Sequence, residues 1–217
     1  MMQLMSLHSY NTMLTHKELK KQYIRRSPEV KKRLEGFALK GKGMDSRDLF
    51  LELCFCICTP QSKAVKVAEV ITVKNLDKLL NLEHKDLAEL LRRYTRFHNN
   101  KAKHIIHARD HIFMLKNLDN DSLKAREYLV KNIKGIGYKE ASHYLRNIGY
   151  RDLCIIDRHV INLMYELKVF PDTKNPSTSK KYFLMEQKIR DYAKKHGYDV
   201  DELDLVLWSI KTGYVFR

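Results

Sequence analysis

The chain has 217 residues, with 41 lysine and arginine residues against 26 aspartate and glutamate residues and a formal net charge of +15. That length allows one large domain or two small lobes, and the charge favours a polyanionic partner such as nucleic acid, with a merely lysine-rich surface as the alternative. No apolar run approaches about 20 residues, which excludes a membrane-spanning helix.

Helical periodicity dominates the chain, because apolar residues recur at spacings of three and four and few strand-like alternations occur. The first basic residue is Lys17, so the chain starts without the charged segment of a signal peptide, and we interpret residues 1–15 as an N-terminal tail. No linker separates the two halves of the remainder, so we expect them to pack together with a groove between them. The pattern predicts helices over residues 17–26, 28–39, 47–58, 63–73, 86–94, 100–116, 122–132, 139–148, 158–168, 178–196 and 200–211.

Three of the four cysteines, Cys54, Cys56 and Cys58, fall in one apolar run. Helix geometry places Cys56 nearly opposite Cys54, and no CxxC pair exists, which is poor geometry for a metal site. We therefore expect buried, reduced thiols and no metal. No cysteine follows Cys154, so a C-terminal four-cysteine iron–sulfur motif is excluded.

Residues 129–141, LVKNIKGIGYKEA, predict a helical hairpin. An apolar helix ends at Ile133, and Gly135 and Gly137 permit a tight turn with positive φ before a second helix begins. The free N–H groups and the positive dipole end of that second helix, with Lys134 beside them, can hold a DNA phosphate. A plain helix–helix turn is the alternative.

Lys139 lies in the first turn of that second helix, and Asp157 follows eighteen residues later within CIIDRHV (154–160). The hairpin, lysine and aspartate in this order resemble the helix-hairpin-helix DNA glycosylase superfamily. The resemblance extends over about residues 45–217. It implies an all-α core over residues 16–217 in two helical lobes, with the active-site cleft between them and the hairpin motif at 122–148.

Three further segments narrow the resemblance: ELCFCICTPQSKA (52–64), RFHNNKA (96–102) and LDLVLW (203–208). They look like the type-2 8-oxoguanine DNA glycosylase/lyases, which lack both an iron–sulfur cluster and a β-rich N-terminal domain. That family implies excision of 8-oxoguanine through a lysine Schiff base, followed by strand cleavage by β-elimination. The alternatives are a glycosylase of the same fold for an oxidised pyrimidine or a mismatch, and a non-enzymatic DNA-binding module.

The same resemblance implies the surroundings in which the protein works. The partner is double-stranded DNA that contains 8-oxoguanine or abasic sites, and the enzyme is expected to act as a cytoplasmic monomer without membrane association. No organic cofactor is implied, although the hairpin carbonyls of the family can hold a monovalent cation.

Lys139 and Asp157 are the predicted catalytic residues. The resemblance makes Lys139 the nucleophile that attacks the sugar, and a surface lysine on a phosphate is the alternative. The carboxylate of Asp157 would stabilise an oxocarbenium-like sugar, and an ordinary helix N-cap is the alternative, although both can hold at once.

A second group is predicted to bind DNA. Gln61 lies between two apolar helices, where the resemblance places a loop that fills the gap left by a flipped nucleotide; a plain turn capped by Ser62 is the alternative. Contacts with phosphates or the orphan base, or else a solvated surface position, are expected for Arg96, His98, Asn99, Lys101, Arg158 and His159. The predicted DNA-binding residues are Lys134, Gly135, Gly137, Gln61, Asn99, Arg158 and His159.

Phe97, Trp208 and Arg217 are the predicted base-pocket residues. The two aromatic rings would stack on the extruded base, and core packing is the alternative for both. The family is associated with a C-terminal lysine, whereas this chain ends in Arg217. We expect the terminal carboxylate to select 8-oxoguanine by accepting its N7–H, with a frayed tail as the alternative.

Overall fold

The computed structural model describes residues 13–215, and within them the backbone is all-α, as predicted, with eleven α-helices and two 3₁₀ helices. No helix in this part of the chain has both the length and the apolar composition to cross a bilayer. The α-helices are α1 (His16–Gly43), α2 (Ser46–Cys58), α3 (Ala64–Val70), α4 (Leu76–Asn81), α5 (His84–Leu91), α6 (His98–Arg109), α7 (Ser122–Asn132), α8 (Tyr138–Asn147), α9 (Arg158–Glu166), α10 (Ser179–His196) and α11 (Val200–Thr212).

The first lobe is built around α2, which is apolar on all sides. Every residue from Leu49 to Cys58 except Leu51 is buried, as expected for a helix at the centre of a core. Helices α3, α6 and α8 pack on it. The cysteines of this helix are buried, as expected, and burial raises the pKa of Cys58 to about 12, so its thiol remains protonated.

The second lobe joins the two ends of the described chain. Buried residues of α1, among them Leu19, Val30 and Leu34, pack in one apolar cluster with residues of α9, α10 and α11. Helix α1 also contacts α8 of the first lobe. The lobe that carries α9 and α11 is therefore completed by the helix farthest from them in sequence.

Helix α1 continues through Pro28, so the prediction of separate helices over 17–26 and 28–39 is wrong. Proline lacks the backbone donor and usually kinks or ends a helix. Here α11 holds both halves in line, because Tyr23 Oη and Ser27 Oγ each donate to Glu202 at 2.8 Å, while Val30 beyond the proline is fully buried. Tertiary packing overrides the local signal.

Three further differences concern short elements of the first lobe. The predicted helix 63–73 ends at Val70, and the predicted helix 100–116 is α6 followed by a 3₁₀ helix, Ile112–Asn117. Helix α4 has only six residues and is absent from the prediction, since a short apolar run carries little periodicity. The other helices begin and end within three residues of their predicted bounds.

The described part of the predicted N-terminal tail is packed against the second lobe. Leu14 is buried, and its backbone N–H donates to Glu166 Oε2 at 2.7 Å. Thr15 caps α1 by accepting from Glu18 N. Packing against the second lobe therefore starts at Leu14, before the predicted end of the tail at residue 15.

Candidate active site

A cleft of about 1670 Å³ lies between the lobes and is lined by both predicted catalytic residues, Lys139 and Asp157. The groove expected from the sequence is therefore present. Its walls come from the segments 59–69, 92–96, 137–146, 155–160, 175–182 and 204–214.

The hairpin between α7 and α8 forms one edge of the cleft. Ile136 N donates to Ile133 O at 3.3 Å, and Gly135 adopts φ +82. A Cβ at Gly135 would lie 2.2 Å from His104 Nδ1, so both the backbone angle and the packing require glycine there. Gly137 has φ −100, so the positive φ expected there is wrong; this residue is the extended N-cap of α8.

Lys139 projects from the first turn of α8 and is about one-quarter exposed. Its Nζ lies 3.0 Å from Glu140 Oε1, and Glu140 Oε2 accepts from Gly137 N at 3.3 Å. Glu140 therefore closes the N-terminal turn of α8 and at the same time holds the lysine amine. The sequence analysis did not single out Glu140, since a glutamate in a first turn is common.

Asp157 lies at the start of α9, where its Oδ1 accepts from Val160 N at 2.8 Å. It therefore is a helix N-cap, as the alternative interpretation held, and it also lines the cleft with Lys139. The capping bond fixes the carboxylate, because one oxygen is held by the backbone of α9.

The chain that leads to Asp157 is held by three buried carboxylates, which we name the carboxylate clasp: Glu186, Asp201 and Asp204. Asp201 accepts from the backbone N–H groups of residues 152 and 153 at 2.9 and 3.3 Å. Glu186 accepts from residue 154 at 3.2 Å, and Asp204 accepts from residue 155 at 3.3 Å. Four successive amides of the segment between α8 and α9 are thus bound by side chains of α10 and α11.

Each carboxylate of the clasp also pairs with an arginine. Arg126 donates two hydrogen bonds to Glu186 at 2.8 Å, Arg146 lies 2.6 Å from Asp204, and Arg151 lies 2.9 Å from Asp201. Such pairing offsets the cost of burying a charge. Arg126 and Arg146 belong to α7 and α8, so the clasp links the hairpin to the segment that carries Asp157.

Asp204 also lines the cleft, and its ionisation is unusual. The pKa of this carboxyl is raised to about 7, chiefly by burial; Arg146 lowers it, and the nearby charge of Asp157 adds to the increase. A negative charge on Asp157 therefore disfavours ionisation of Asp204 in the wall of the cleft.

The aromatic residues predicted for the base pocket differ in position. Trp208 lines the cleft, with its ring edge-on to Tyr214 at a centroid distance of 5.5 Å. Phe97 is 52% exposed, so its core-packing alternative is wrong; its ring lies under the Arg96 guanidinium and is not among the groups that line the cleft. Arg217 lies outside the described residues.

The predicted DNA-binding residues fall into two groups. Gln61, Gly137, Arg158 and His159 line the cleft. Lys134, Gly135 and Asn99 lie outside its walls, the first two in the hairpin turn and the third in the first turn of α6, where its carbonyl pairs with His84. Ser62 does not cap α3, whose N-cap is Lys63.

Lys101 is the residue whose position departs most from expectation. A contact with a phosphate or the orphan base, or else a solvated surface position, was expected for this lysine, but it is only 5% exposed. Its Nζ donates to oxygens of residues 58, 60, 62 and 95 inside the first lobe. A lysine in a basic chain is usually a surface group, so no local signal predicted this burial.

Comparison with known proteins places this arrangement in a family. The family model described as 8-oxoguanine DNA glycosylase matches residues 30–198. The chain belongs to the 8-oxoguanine DNA glycosylase family. The resemblance drawn from the hairpin, Lys139 and Asp157 is thereby confirmed at the level of the family.

Members of this glycosylase family can be aligned with nearly the whole chain. The 8-oxoguanine DNA glycosylase/AP lyase of Fusobacterium nucleatum is 37% identical over 210 residues, 92% of this chain and 96% of that protein. The crystal structure of the 8-oxoguanine DNA glycosylase of Thermotoga maritima has a TM-score of 0.85 at 35% identity and covers 93% of this chain and 97% of that one. The Methanocaldococcus jannaschii 8-oxoguanine glycosylase/lyase, solved in complex with a 15mer DNA containing 8-oxoguanine, has a TM-score of 0.84 at 33% identity and covers 92% of this chain and 99% of that one.

In this glycosylase-family chain, one wall of the cleft is strongly basic, a feature that the sequence analysis did not assign. The excess of positive charge was visible in the composition, but folding alone brings residues from two separate segments together. The basic residues of this wall are Lys63, Lys66, Arg92, Arg93 and Arg96.

Proposed function

We propose that this chain excises 8-oxoguanine from double-stranded DNA and then cleaves the strand at the resulting abasic site. The observation that carries the proposal is the presence of Lys139 and Asp157 on one basic cleft between the lobes of an 8-oxoguanine DNA glycosylase fold. Relatives named 8-oxoguanine DNA glycosylase/AP lyase support both activities. Because these relatives are named for 8-oxoguanine, a glycosylase for an oxidised pyrimidine or a mismatch is a weaker alternative, and so is a protein that only binds DNA.

The proposed chemistry starts at the amine of Lys139. Nζ forms a bond to C1′ while the N-glycosidic bond breaks, and the base leaves with the bonding electrons and takes up a proton. Glu140 lies within hydrogen-bond distance of Nζ and can accept the proton that the amine must lose. The negative charge of Asp157 favours the positive charge that develops on the sugar.

Strand cleavage follows from the same covalent state. Opening of the sugar ring gives a protonated Schiff base between Lys139 and C1′. This group makes the C2′ hydrogen acidic, and loss of that proton expels the 3′ phosphate. Hydrolysis of the imine then frees the lysine.

Borohydride trapping tests the nucleophile. The wild-type protein should form a covalent adduct with a duplex that carries 8-oxoguanine, and Lys139→Gln should bind the duplex but form no adduct and release no base. Lys131→Gln removes one exposed charge from the same hairpin outside the cleft and should retain the adduct. Base release at the wild-type rate by Lys139→Gln would contradict the assignment, and a panel of damaged duplexes distinguishes 8-oxoguanine from the alternative lesions.

We further propose that the terminal carboxylate of Arg217 selects the oxidised base, because an acceptor favours the N7–H of 8-oxoguanine and repels the N7 lone pair of guanine. The preceding residues support a course toward the cleft: Gly213 adopts φ +88, Tyr214 lines the cleft, and Val215 is buried. A C-terminal tag should slow 8-oxoguanine release and spare abasic-site cleavage, whereas Arg217→Lys should retain both. A tagged protein with the untagged rate of lesion release contradicts this role.

The remaining expectations are proposals of the same kind. We propose a monomer that acts on chromosomal DNA in the cytoplasm without an organic cofactor or an iron–sulfur cluster; sedimentation with and without DNA tests the monomer.

At the hairpin, the carbonyls of Lys134 and Gly135 accept no hydrogen bond from the described residues and would hold a monovalent cation if one binds. Its charge would attract a DNA phosphate.

A further inference from the structure

The buried ammonium group of Lys101 joins two separate segments of the first lobe. It donates to the carbonyls of Cys58 and Pro60, each at 2.7 Å. It also lies 3.0 Å from Ser62 Oγ and 2.6 Å from Thr95 Oγ1. The two hydroxyls are 2.8 Å apart, so a single cation organises the end of α2, the turn after it and the segment before α6.

The turn held in this way contains Gln61, which lines the cleft with φ +55. A non-glycine residue is uncommon in this left-handed region and persists there where its surroundings fix it. The ammonium binds both neighbours of Gln61, Pro60 through its carbonyl and Ser62 through its hydroxyl. Ser62 Oγ also lies 3.3 Å from Pro60 O, so the ammonium and this hydroxyl hold the same turn together.

The segment before α6 also contains a non-glycine residue in the left-handed region. Phe97 has φ +56 and precedes α6, and Thr95 Oγ1, two residues earlier, is bound by Lys101 and donates to Cys58 O at 2.7 Å. Arg96 N donates to Ser62 Oγ at 3.0 Å. Two of the four left-handed non-glycine residues in the described chain therefore lie beside one buried ammonium group.

Burying this charge is costly, and the cost is visible in its ionisation. The pKa of Lys101 is lowered to about 8, chiefly by burial, and the positive charge of Lys139 contributes to the decrease. An apolar side chain would fill the same space without that cost. The position of the charge at the carboxyl end of α2 is favourable, because the helix dipole is negative there.

We propose that Lys101 is a positioning residue that holds Gln61 in the cleft, so that the turn is already in place when a damaged nucleotide is extruded. The proposal rests on the DNA-glycosylase function and on the gap-filling role proposed for Gln61. With the ammonium removed, the turn would relax from its left-handed conformation and Gln61 would leave the position from which it can enter the DNA.

Extrusion is measured separately from chemistry by placing all variants in the Lys139→Gln background. A duplex with 2-aminopurine next to 8-oxoguanine becomes more fluorescent when the lesion leaves the stack. We expect Lys101→Met to abolish most of this increase, while Lys103→Met, which removes an exposed charge from the same helix, retains it. Since no base is released in this background, failure of the lysine chemistry cannot produce the result.

The second measurement uses Lys139 intact and compares two substrates. Release of 8-oxoguanine by Lys101→Met should slow roughly tenfold or more, because misplacing a group by about 1 Å can cost about a hundredfold. Cleavage at a preformed abasic site needs no extrusion of a base and should slow by less than about threefold by the same reasoning. A wild-type protein that releases no 8-oxoguanine would contradict the proposed function itself and leave the fluorescence comparison intact.

A double-mutant cycle with Gln61→Ala links the two residues. If Lys101 acts through Gln61, the two substitutions together should slow base release no more than the more harmful one alone. The proposal would be overturned if the two substitutions slowed base release by the product of their separate effects. It would also be overturned if Lys101→Met gave the full fluorescence increase, or if it slowed base release and abasic-site cleavage equally. If Lys101→Met does not fold, Ser62→Ala removes one acceptor of the anchor and must give the same selective loss of extrusion.

Discussion

At the scale of single residues, Gly135 shows how a weak sequence signal becomes a strict requirement. The sequence indicated two interchangeable glycines, but only Gly135 adopts a positive φ, and only there would a Cβ overlap another side chain, that of His104. A Cβ at Gly137 would meet only the end of the Glu140 side chain, at 3.2 Å. The two positions should therefore respond differently to the same substitution.

We expect Gly135→Ala to destabilise the hairpin by about 1–3 kcal/mol or more, from backbone strain together with the overlap with His104. Gly137→Ala is the matched control and should cost less than about 1 kcal/mol, since its backbone is extended. Urea unfolding measures both. Binding of Gly135→Ala should weaken equally for damaged and undamaged duplexes, because phosphate contacts carry no lesion information. A loss confined to damaged DNA would mean that the hairpin reads the base.

The sequence predicted the site residues that belong to short local motifs, but not those whose contacts come from distant segments of the chain. Lys139 and Asp157 belong to short motifs, and both lie on the cleft. The acceptors of Lys101 come from segments that lie 43 and 6 residues away in the chain, so no local pattern announces its burial. Phe97 matched a motif, but its ring is not among the groups that line the cleft.

At the scale of elements, a regular apolar spacing over about three turns was enough to predict α7 with its exact bounds. The six-residue α4 has too few turns to show such a spacing. Pro28 predicted a break that the contacts of α11 prevent. The clasp could not be predicted at all, because its carboxylates satisfy backbone groups that come from another element.

The clasp gives a test at this scale. Glu186→Gln removes the negative charge that faces the buried Arg126, and leaving such a charge unpaired typically costs about 3–5 kcal/mol. We expect a loss of that order in urea unfolding, together with slower base release, since Glu186 also binds the segment that leads to Asp157. Asp191→Asn on the exposed side of α10 should change stability by no more than about 0.5 kcal/mol. A Glu186→Gln protein as stable as the wild type would show that the pair is dispensable.

At the scale of the whole molecule, part of the net charge of +15 is concentrated on the basic wall of the cleft. Each phosphate neutralised by the protein releases counterions, so DNA affinity should fall steeply with salt. The charge on this wall should therefore contribute to binding, whereas a similar charge on a remote face should not.

We expect Arg93→Gln, on the basic wall, to weaken binding to damaged and undamaged duplexes alike and to reduce the slope of log affinity against log salt by about 1. Arg33→Gln, an exposed arginine of α1 outside the cleft, is the matched control and should leave the slope unchanged. Affinity titrations at several salt concentrations measure both. Equal slopes for Arg93→Gln and the wild type would place the DNA elsewhere.

The composition of the two lobes has a consequence for the order in which the protein forms during synthesis. The first lobe is drawn from one continuous stretch, α2 to α8, and can collapse as soon as that stretch has left the ribosome. The apolar face of α1 emerges earlier and, apart from its contact with α8, finds its partners only after α9, α10 and α11 have been made. For that interval most of the apolar face of α1 is uncovered; a chaperone would bind there, and slowed translation of the last third would prolong the exposure.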